Sequence, residues 1–211
     1  MYKIIGSFSK KFFEDNFEKD LVKDKCSWSF LRINYLTYNY CLFQMFDIPS
    51  FSKIDKEFKY DTPNYFYIGC ISDLFEKKNK KKIHPAKIGT QCMLFYEGKL
   101  SFNTLTKIDI TFDMVYSQEA EAFLHYLDYK NDNFPQILNE IEGNFACVYI
   151  RKHQFISIFR NEKVPLYVDN KLNFCSSQFE NSVLLEPNYV FTLNPQTKKL
   201  EKGSFFLNPP L

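Results

Sequence analysis

The feature that most constrains the fold of this chain is a series of short strand-like runs after Gly143. NFACVYIRK, FISIFRNEK, VPLYVDN and LNFCSSQ follow one another with only a few polar residues between them. The segment YVFTLNPQTKKLEKGSF then predicts a hairpin around Asn194–Pro195, because Asn and Pro favour tight turns. Closely spaced runs of this kind predict many antiparallel strands.

Two further stretches add predicted strands ahead of that series. The chain begins MYKIIGSFS, in which Tyr2 and Ile4 already have the character of a strand, although the first residues of most domains fray. The segment KIGTQCMLFYEGKLSF predicts a strand, a tight turn at Glu97–Gly98 and a return strand. A core strand that begins at the second residue needs an explanation.

Three segments have the apolar spacing of amphipathic helices. SQEAEAFLHYLDYK begins at Ser117, a candidate N-cap, and Glu119 and Glu121 place negative charge in its first turn. NFPQILNEIEG has Pro135 in its first turn and Gly143 at its exit, and SKKFFEDNFEKDLVK repeats apolar residues at four-residue spacing. The three apolar stripes are Ala120, Phe123, Leu124 and Leu127; Phe134, Ile137, Leu138 and Ile141; and Phe13, Phe17 and Leu21. Helices beside many antiparallel strands predict an α+β fold, with helices layered on sheets.

The composition excludes several classes of protein. Hydrophobic residues make up 45% of the 211, which argues against disorder, and no apolar run approaches the length of a membrane span. A formal net charge of +2 gives no indication of nucleic-acid binding. The one basic run, EKKNKKK, fits a solvated loop better than a site for an anionic partner. We expect residues 1–211 to form one domain that does not enter a membrane.

The cysteines favour a reduced, cytoplasmic protein with no metal. None of the six forms a C-x-x-C pair, and no His/Cys/Asp cluster indicates a metal or another cofactor. Cys92 and Cys147 lie inside strand-like runs, where a free thiol behaves as a small hydrophobic group. We expect no signal peptide ahead of the first strand.

Several short motifs recur in a definite order along the chain. They are MYKIIGSF at the start, EGKL at 97–100, EAE at 119–121, GNFACVY at 143–149, and then RN, PLY and FCSSQ between 160 and 178. In order and spacing they resemble class II glutamine amidotransferase domains, the N-terminal nucleophile (Ntn) hydrolase domains found in asparagine synthetase and its relatives. The resemblance is weakest between residues 25 and 88. It implies a four-layer αββα sandwich, with two antiparallel sheets between helical layers.

The resemblance also offers a reason for a strand at the start of the chain, and it shows that this chain lacks the nucleophile of the family. In the family, the residue after Met1 is a cysteine whose thiol is the nucleophile and whose own amine is the general base. Tyr2 stands at that position here, and a phenol with a pKa of about 10 is a poor nucleophile at neutral pH. Cys26 is the only early thiol, and it follows the charged stretch KDLVKDK rather than opening a strand.

The substrate pocket that the resemblance implies is altered as well. The family stabilises its oxyanion with an Asn side chain and the following Gly amide, and here Glu97 precedes Gly98, so a carboxylate replaces the donor. Arg32 is the only arginine before Arg151, but it lacks the Gly-Pro that follows the family's carboxylate-binding Arg. Glu119 stands where the family has the Asp that binds the substrate's amine.

These changes favour a degenerate domain that has kept the fold and has no catalytic residue. By analogy with β-lactam synthetases and lasso-peptide cyclases, we expect a non-catalytic or regulatory subunit of an amide-forming, asparagine-synthetase-like system. Its partner would be a separate ATP-dependent synthetase, because the chain has no Ser-Gly-Gly-x-Asp loop and so no synthetase domain. One alternative is an active amidotransferase or amidohydrolase with a displaced nucleophile, with His84 or Cys92 near the Glu97 turn. Another is an anion-binding or nucleic-acid-binding module that uses Lys77–Lys82.

Overall fold

The fold comprises thirteen strands and four helices among the residues that the structure, a computed structural model, describes. These residues are 2–21, 27–37, 39–45, 64–72, 85–114, 116, 118–129, 134–151 and 156–207. The strands are β1 Tyr2–Ser7, β2 Ser27–Asn34, β3 Tyr40–Met45, β4 Tyr65–Ser72, β5 Ala86–Ile88, β6 Cys92–Leu100, β7 Gly143–Arg151, β8 Ile156–Arg160, β9 Tyr167–Val168, β10 Phe174–Cys175, β11 Val183–Leu184, β12 Tyr189–Asn194 and β13 Lys199–Phe205. The helices are α1 Lys10–Leu21, α2 Phe102–Phe112, α3 Glu119–Tyr129 and α4 Phe134–Asn139.

The described strands form two antiparallel sheets. Sheet A has the order β11-β9-β10-β1-β4-β2-β3, so the first strand of the chain lies in its interior, between β10 and β4. Sheet B has the order β13-β12-β8-β7-β6-β5. The predicted hairpin around Asn194–Pro195 is confirmed, since β12 pairs with β13 through a turn at those residues.

Three apolar layers hold the sheets and helices together. One contains Phe13 of α1 and the outer face of sheet A, and a second contains α2, α3 and α4 and the outer face of sheet B. The third, which we call the inter-sheet core, lies between the sheets and includes Ile4 and Phe95. The order of layers is therefore α1, sheet A, sheet B and the other helices. This confirms the predicted α+β sandwich.

The helical predictions are confirmed in part. The helix predicted from SQEAEAFLHYLDYK forms as α3, and all four residues of its apolar stripe are buried. The segment SKKFFEDNFEKDLVK forms α1. The helix predicted from NFPQILNEIEG is shorter than expected, because α4 ends at Asn139 and Gly143 is the first residue of β7.

The prediction of a turn at Glu97–Gly98 is wrong. Residues 92–100 form one continuous strand, β6, and every one of them pairs with β7. The expected return strand is instead helix α2, in which the Ser101 hydroxyl accepts a hydrogen bond from the amide of Thr104 at 3.0 Å as an N-cap. The turn of this hairpin lies earlier, between β5 and β6, where Gly89 has a φ of +53°.

Several sequence predictions fall outside the described residues: those for Ser117, Cys26, His84 and the Lys77–Lys82 run. In the described part of the chain, no helix is long and apolar enough to cross a membrane, and no group of three or more His, Cys, Asp or Glu side chains is arranged to hold a metal ion. The five cysteines in these ranges, Cys41, Cys70, Cys92, Cys147 and Cys175, are free thiols.

Candidate functional site

The start of β1 is fixed by strands on both sides. The backbone of Tyr2 pairs with Ser72 of β4 on one side. On the other side, Ile4 hydrogen-bonds Ser176, which follows β10. The amide of Ile4 donates to the Ser176 hydroxyl at 3.0 Å, and the amide of Ser176 donates back to the Ile4 carbonyl at 3.0 Å. Because of these contacts, the position that carries the nucleophile in the resembling family belongs to a paired strand in the sheet interior.

Glu97 faces this start of β1 from the other sheet. It lies two residues beyond Phe95 on β6, so it points between the sheets at the edge of the inter-sheet core. The Ser176 hydroxyl hydrogen-bonds its carboxyl group, and Lys3 and Cys70 lie close enough to interact with its charge. Burial raises the pKa of Glu97 to about 7, against the opposing effects of Ser176, the N-terminal ammonium group and Lys3.

Glu97 should make the stability of the fold depend on pH. The folded protein holds a proton on this carboxyl up to a pKa of about 7, whereas the unfolded chain releases it near 4.5. The free energy of unfolding should therefore fall as the pH rises between these values, by about 2 kcal/mol for a carboxyl that is partly exposed. Glu97→Gln should remove this fall and give the more stable protein at the higher pH, as measured by urea unfolding.

Glu201→Gln is the matched control for this prediction, because Glu201 is exposed on β13 of the same sheet. Its unfolding free energy should follow that of the unmodified protein at every pH. A Glu97→Gln profile that is parallel to the control would contradict a buried, neutral Glu97.

Gly98 allows β6 and β7 to approach closely. It has a φ of +140°, and a Cβ atom built on it would lie 1.9 Å from the carbonyl oxygen of Asn144. Only glycine fits this position without moving the β7 backbone. Glu97 and Gly98 are thus brought beside the start of β1 by the strand itself and not by a turn.

Arg32 lies on the outer face of sheet A. Its neighbours Leu31 and Ile33 belong to the inter-sheet core, so alternation along β2 directs Arg32 away from that core. Its guanidinium group stacks over the ring of Tyr65 at 4.6 Å. The structure therefore does not bring Arg32 together with Glu97.

Glu119 lies on the helix side of sheet B. Its Oε2 accepts hydrogen bonds from the Tyr96 hydroxyl at 3.2 Å and from the Leu100 amide at 3.0 Å. Tyr96 packs in the core beneath α3, whereas the adjacent Glu97 points between the sheets. These contacts tie the first turn of α3 to β6 through one oxygen of the carboxylate that stands where the resembling family has its amine-binding Asp.

Cys92 does not lie near Glu97 either. The two residues are five positions apart on β6, about 17 Å along a strand, and they point to opposite faces. The Cys92 thiol donates to the Asp128 carboxylate at 3.1 Å and accepts from the Tyr149 hydroxyl at 3.7 Å. Burial and then Asp128 raise the pKa of this thiol. It is therefore protonated and poorly suited to nucleophilic attack.

An apolar pocket lies between the sheets toward the other end of β6, away from Glu97. It is open to solvent, and the space within it and at its mouth is about 440 Å³. The lining includes Ile33, Met93, Ile150 and Ile156, with Arg151 as its charged residue. Among the described residues, no carboxylate or thiol lines it, so those residues offer shape and one cation but no nucleophile.

Two motif residues that the sequence analysis grouped together prove to be structural. Arg160 is 2% exposed and donates to backbone carbonyls, and Asn161 joins β7 to the loop after β8. The Asn161 Oδ1 accepts from the amides of Phe145 and Lys163, and its Nδ2 donates to the carbonyl of Gly143. No sequence signal distinguished Ser176, although FCSSQ was one of the motifs that indicated the fold.

Comparison with known proteins supports this architecture. A solved structure described as the allosteric regulatory enzyme of purine biosynthesis matches with a TM-score of 0.70 and 9% identity, over 99% of this chain and 50% of that one. Glutamine phosphoribosylpyrophosphate (PRPP) amidotransferase from B. subtilis, complexed with ADP and GMP, matches with a TM-score of 0.66 and 12% identity, over 98% of this chain and 49% of that one. The chain has the fold of a class II glutamine amidotransferase domain.

The likeness is one of fold, and the chain spans about half the length of these two proteins. No family model matches the sequence, and no curated protein does. Within this amidotransferase fold, Tyr2 is the first residue of the interior strand of sheet A and Glu97 faces it from sheet B.

Proposed function

We propose that this protein is a degenerate class II glutamine amidotransferase that does not hydrolyse glutamine. It would act as a non-catalytic or regulatory subunit of an amide-forming, asparagine-synthetase-like system. The observation that carries the proposal is the Glu97 carboxyl group, which lies beside the start of β1. Hydrolysis of glutamine passes through an oxyanion that needs hydrogen-bond donors at this place. Above its pKa of about 7, the Glu97 carboxylate is ionised and would repel that oxyanion.

Tyr2 supports the same conclusion. The first position of β1 carries a phenol where glutamine hydrolysis in the resembling family uses a thiol. A phenol is almost entirely protonated at neutral pH, so it supplies little nucleophile. Cys70 and Cys175, the thiols next to β1 in sheet A, are buried, and burial raises the pKa of Cys70 far above its usual value. Neither is suited to replace the missing nucleophile.

The partner in the proposal is a separate ATP-dependent synthetase chain. The two matched amidotransferase structures are about twice as long as the part that this chain covers. A protein with this fold and no hydrolytic site would contribute binding or regulation to a synthetase supplied by another chain. The free thiols of the described residues are consistent with a cytoplasmic setting. Co-purification of a synthetase with the tagged protein from its own cells would support this partner.

The direct test is ammonia release from glutamine. In an assay about one pH unit above the Glu97 pKa of about 7, the purified protein should release none above the buffer rate. Tyr2→Cys should remain inactive there, because the ionised Glu97 still opposes the oxyanion. Tyr2→Cys combined with Glu97→Asn would supply both a thiol and a donor. The single variant should be at least about a hundredfold slower than the double variant, the usual loss when one oxyanion donor is missing. Steady ammonia production by the unmodified protein, in proportion to its amount, would refute the proposal.

A further inference from the structure

Three polar residues lie just beyond the inter-sheet core, at the end where β1 begins. Each is two positions from a residue of that core on the same strand, so alternation directs all three side chains between the sheets. We call them the amine cluster. They are Ser29 beside Leu31 on β2, Glu97 beside Phe95 on β6, and Asn144 beside Ala146 on β7.

The strand registers bring the members of the amine cluster together. Glu97 pairs with Ala146, so Asn144 is its diagonal neighbour on the same face of sheet B, about 7–8 Å away between Cα atoms. On sheet A, Ser29 pairs with Cys70, and the Glu97 charge interacts with the Cys70 thiol across the sandwich. Ser29 therefore lies beside Cys70, on the face of sheet A that is turned toward Glu97.

Each member of the cluster has a buried oxygen without a hydrogen-bond partner among the described residues. These atoms are Ser29 Oγ, Glu97 Oε2 and Asn144 Oδ1. Ser29 is only 1% exposed, so solvent does not satisfy its hydroxyl. Buried polar groups in folded proteins are nearly always paired, so three unpaired oxygens on the facing sides of the two sheets indicate a missing donor.

The unpaired atoms define the chemistry of that donor. A carboxylate oxygen and an amide oxygen only accept hydrogen bonds, and a hydroxyl oxygen can accept one as well. A protonated amine has three N–H donors and no acceptor, and its positive charge neutralises Glu97. A hard metal ion such as Ca²⁺ needs six or more oxygen ligands, and an anion would be repelled by the carboxylate.

We propose that the amine cluster binds a protonated amine, either the free ammonium ion or the ammonium group of a small primary amine. Ser29 Oγ, Glu97 Oε2 and Asn144 Oδ1 each accept one N–H hydrogen bond. The second carboxylate oxygen remains available to the Ser176 hydroxyl, so the site keeps its contact with β1. The site stands on these contacts alone, whether or not the protein serves an amide-forming system.

Binding requires the ionised form of Glu97. The groups that interact with this carboxyl are the Ser176 hydroxyl, the N-terminal ammonium group, Lys3 on β1 and Cys70 on β4, and with these groups present the pKa of Glu97 is about 7. A bound cation favours the ionised form, so affinity rises as the pH passes this value. Below it, a protonated carboxyl has lost both the charge and one acceptor site.

The test compares amines with and without N–H donors. Ammonium chloride and methylammonium chloride are titrated into the protein, at constant ionic strength against sodium chloride, and thermal unfolding and calorimetric heat are recorded. Tetramethylammonium chloride, which has the same charge and no N–H group, is the ligand control. At about one pH unit above 7, ammonium alone or both N–H-bearing cations should raise the melting temperature. About one unit below 7, neither cation should change the melting temperature much. Tetramethylammonium should have no effect at either pH.

Variants locate the binding at the cluster. Glu97→Gln should weaken ammonium binding about ten- to a hundredfold, because a charged hydrogen-bond partner is lost. Ser29→Ala should weaken it about two- to tenfold, and it serves as a second variant if Glu97→Gln folds poorly. Glu201→Gln, on the exposed strand β13, should bind as the unmodified protein does.

Three results would overturn the site: no stabilisation by either N–H-bearing cation, an equal effect of tetramethylammonium, or unchanged affinity in both cluster variants. A response to ammonium alone would identify the free ion as the ligand, and a response to both cations would identify a primary ammonium group. The glutamine assay does not enter this test, so failure of the amine site is separate from failure of the proposed loss of hydrolysis.

Discussion

Gly98→Ala is expected to destabilise the protein by about 3–5 kcal/mol, a large effect for the addition of one methyl group. The new Cβ would lie 1.9 Å from the Asn144 carbonyl oxygen and 2.7 Å from the Cα of Phe145, both of which are backbone atoms that no rotamer change can move. The φ of +140° adds strain for any residue with a side chain. Urea unfolding followed by the fluorescence of Trp28, the single tryptophan, would measure the loss.

Gly89→Ala separates the clash from the backbone strain. Gly89 also has a positive φ, +53°, but nothing lies within 4 Å of a Cβ atom built there. This control should cost only about 1–2 kcal/mol, the usual difference for a left-handed residue with a side chain. Equal losses in the two variants would mean that the approach of β6 to β7 does not require a glycine.

This contrast also explains why the sequence misled the prediction of a turn at Glu97–Gly98. A glycine beside a polar residue is a common turn signal, but inside a strand it also marks a place where another backbone approaches. The sequence of one strand does not reveal its neighbour, so the two cases are alike until the pairing of β6 with β7 is known.

The end of helix α2 is a second feature that the apolar pattern did not indicate. Asp113, in a left-handed conformation, is its C-cap.

Helix α2 was missed for a reason of local propensity. Its sequence, FNTLTKIDITF, contains three threonines and two isoleucines, β-branched residues that favour strands. Only Thr104 and Ile108 of this helix are fully buried, so it lacks the broad apolar stripe by which α3 was predicted. Contacts with Glu142 hold it: Ser101 and Thr104 both hydrogen-bond to that residue. Long-range contacts of this kind are not visible in a local pattern.

The motifs named candidate residues for the site, but they did not show on which face of a sheet each side chain lies. The resemblance placed Tyr2 and Glu97 at the same site, and the structure brings Glu97 to the start of β1. It also suggested Arg32 and Glu119, which lie on the outer faces of the two sheets. A shift of one residue along a strand reverses the face of a side chain, so a motif alignment that is weak in this region does not fix which way a side chain points.

The residues of the amine cluster could not be brought together from the sequence either. Ser29 lies in the region where the resemblance is weakest, and β2 and β4 were not predicted as strands. Strand β4 is buried on both faces, with Phe66 and Ile68 toward the inter-sheet core and Tyr67 and Ile71 toward α1, so its residues form a continuous apolar run without alternation. Without these strands, the sequence does not show that Ser29 pairs with Cys70, the residue that interacts with Glu97 across the sandwich.

Arg160→Met is expected to destabilise the protein by about 3–4 kcal/mol. The Arg160 guanidinium group donates from Nε to the Leu185 carbonyl at 2.6 Å, and from Nη1 to the carbonyls of Asn161 at 2.7 Å and Val164 at 3.3 Å. Methionine has a similar length and no donor, so it would leave these carbonyls without their charged partner. The side chain is 2% exposed, and water could not replace it without opening the loop.

Arg151→Met is the matched control, because Arg151 is a half-buried arginine at the end of β7 with no hydrogen bond or ion pair among the described residues. It should change the free energy of urea unfolding by less than about 1 kcal/mol. Arg160→Lys should recover only part of the loss, since one ammonium group cannot reach carbonyls on two segments as a guanidinium fork does. If Arg160→Met were no worse than the control, the loop after β8 would have to be held by its backbone and by Asn161 instead.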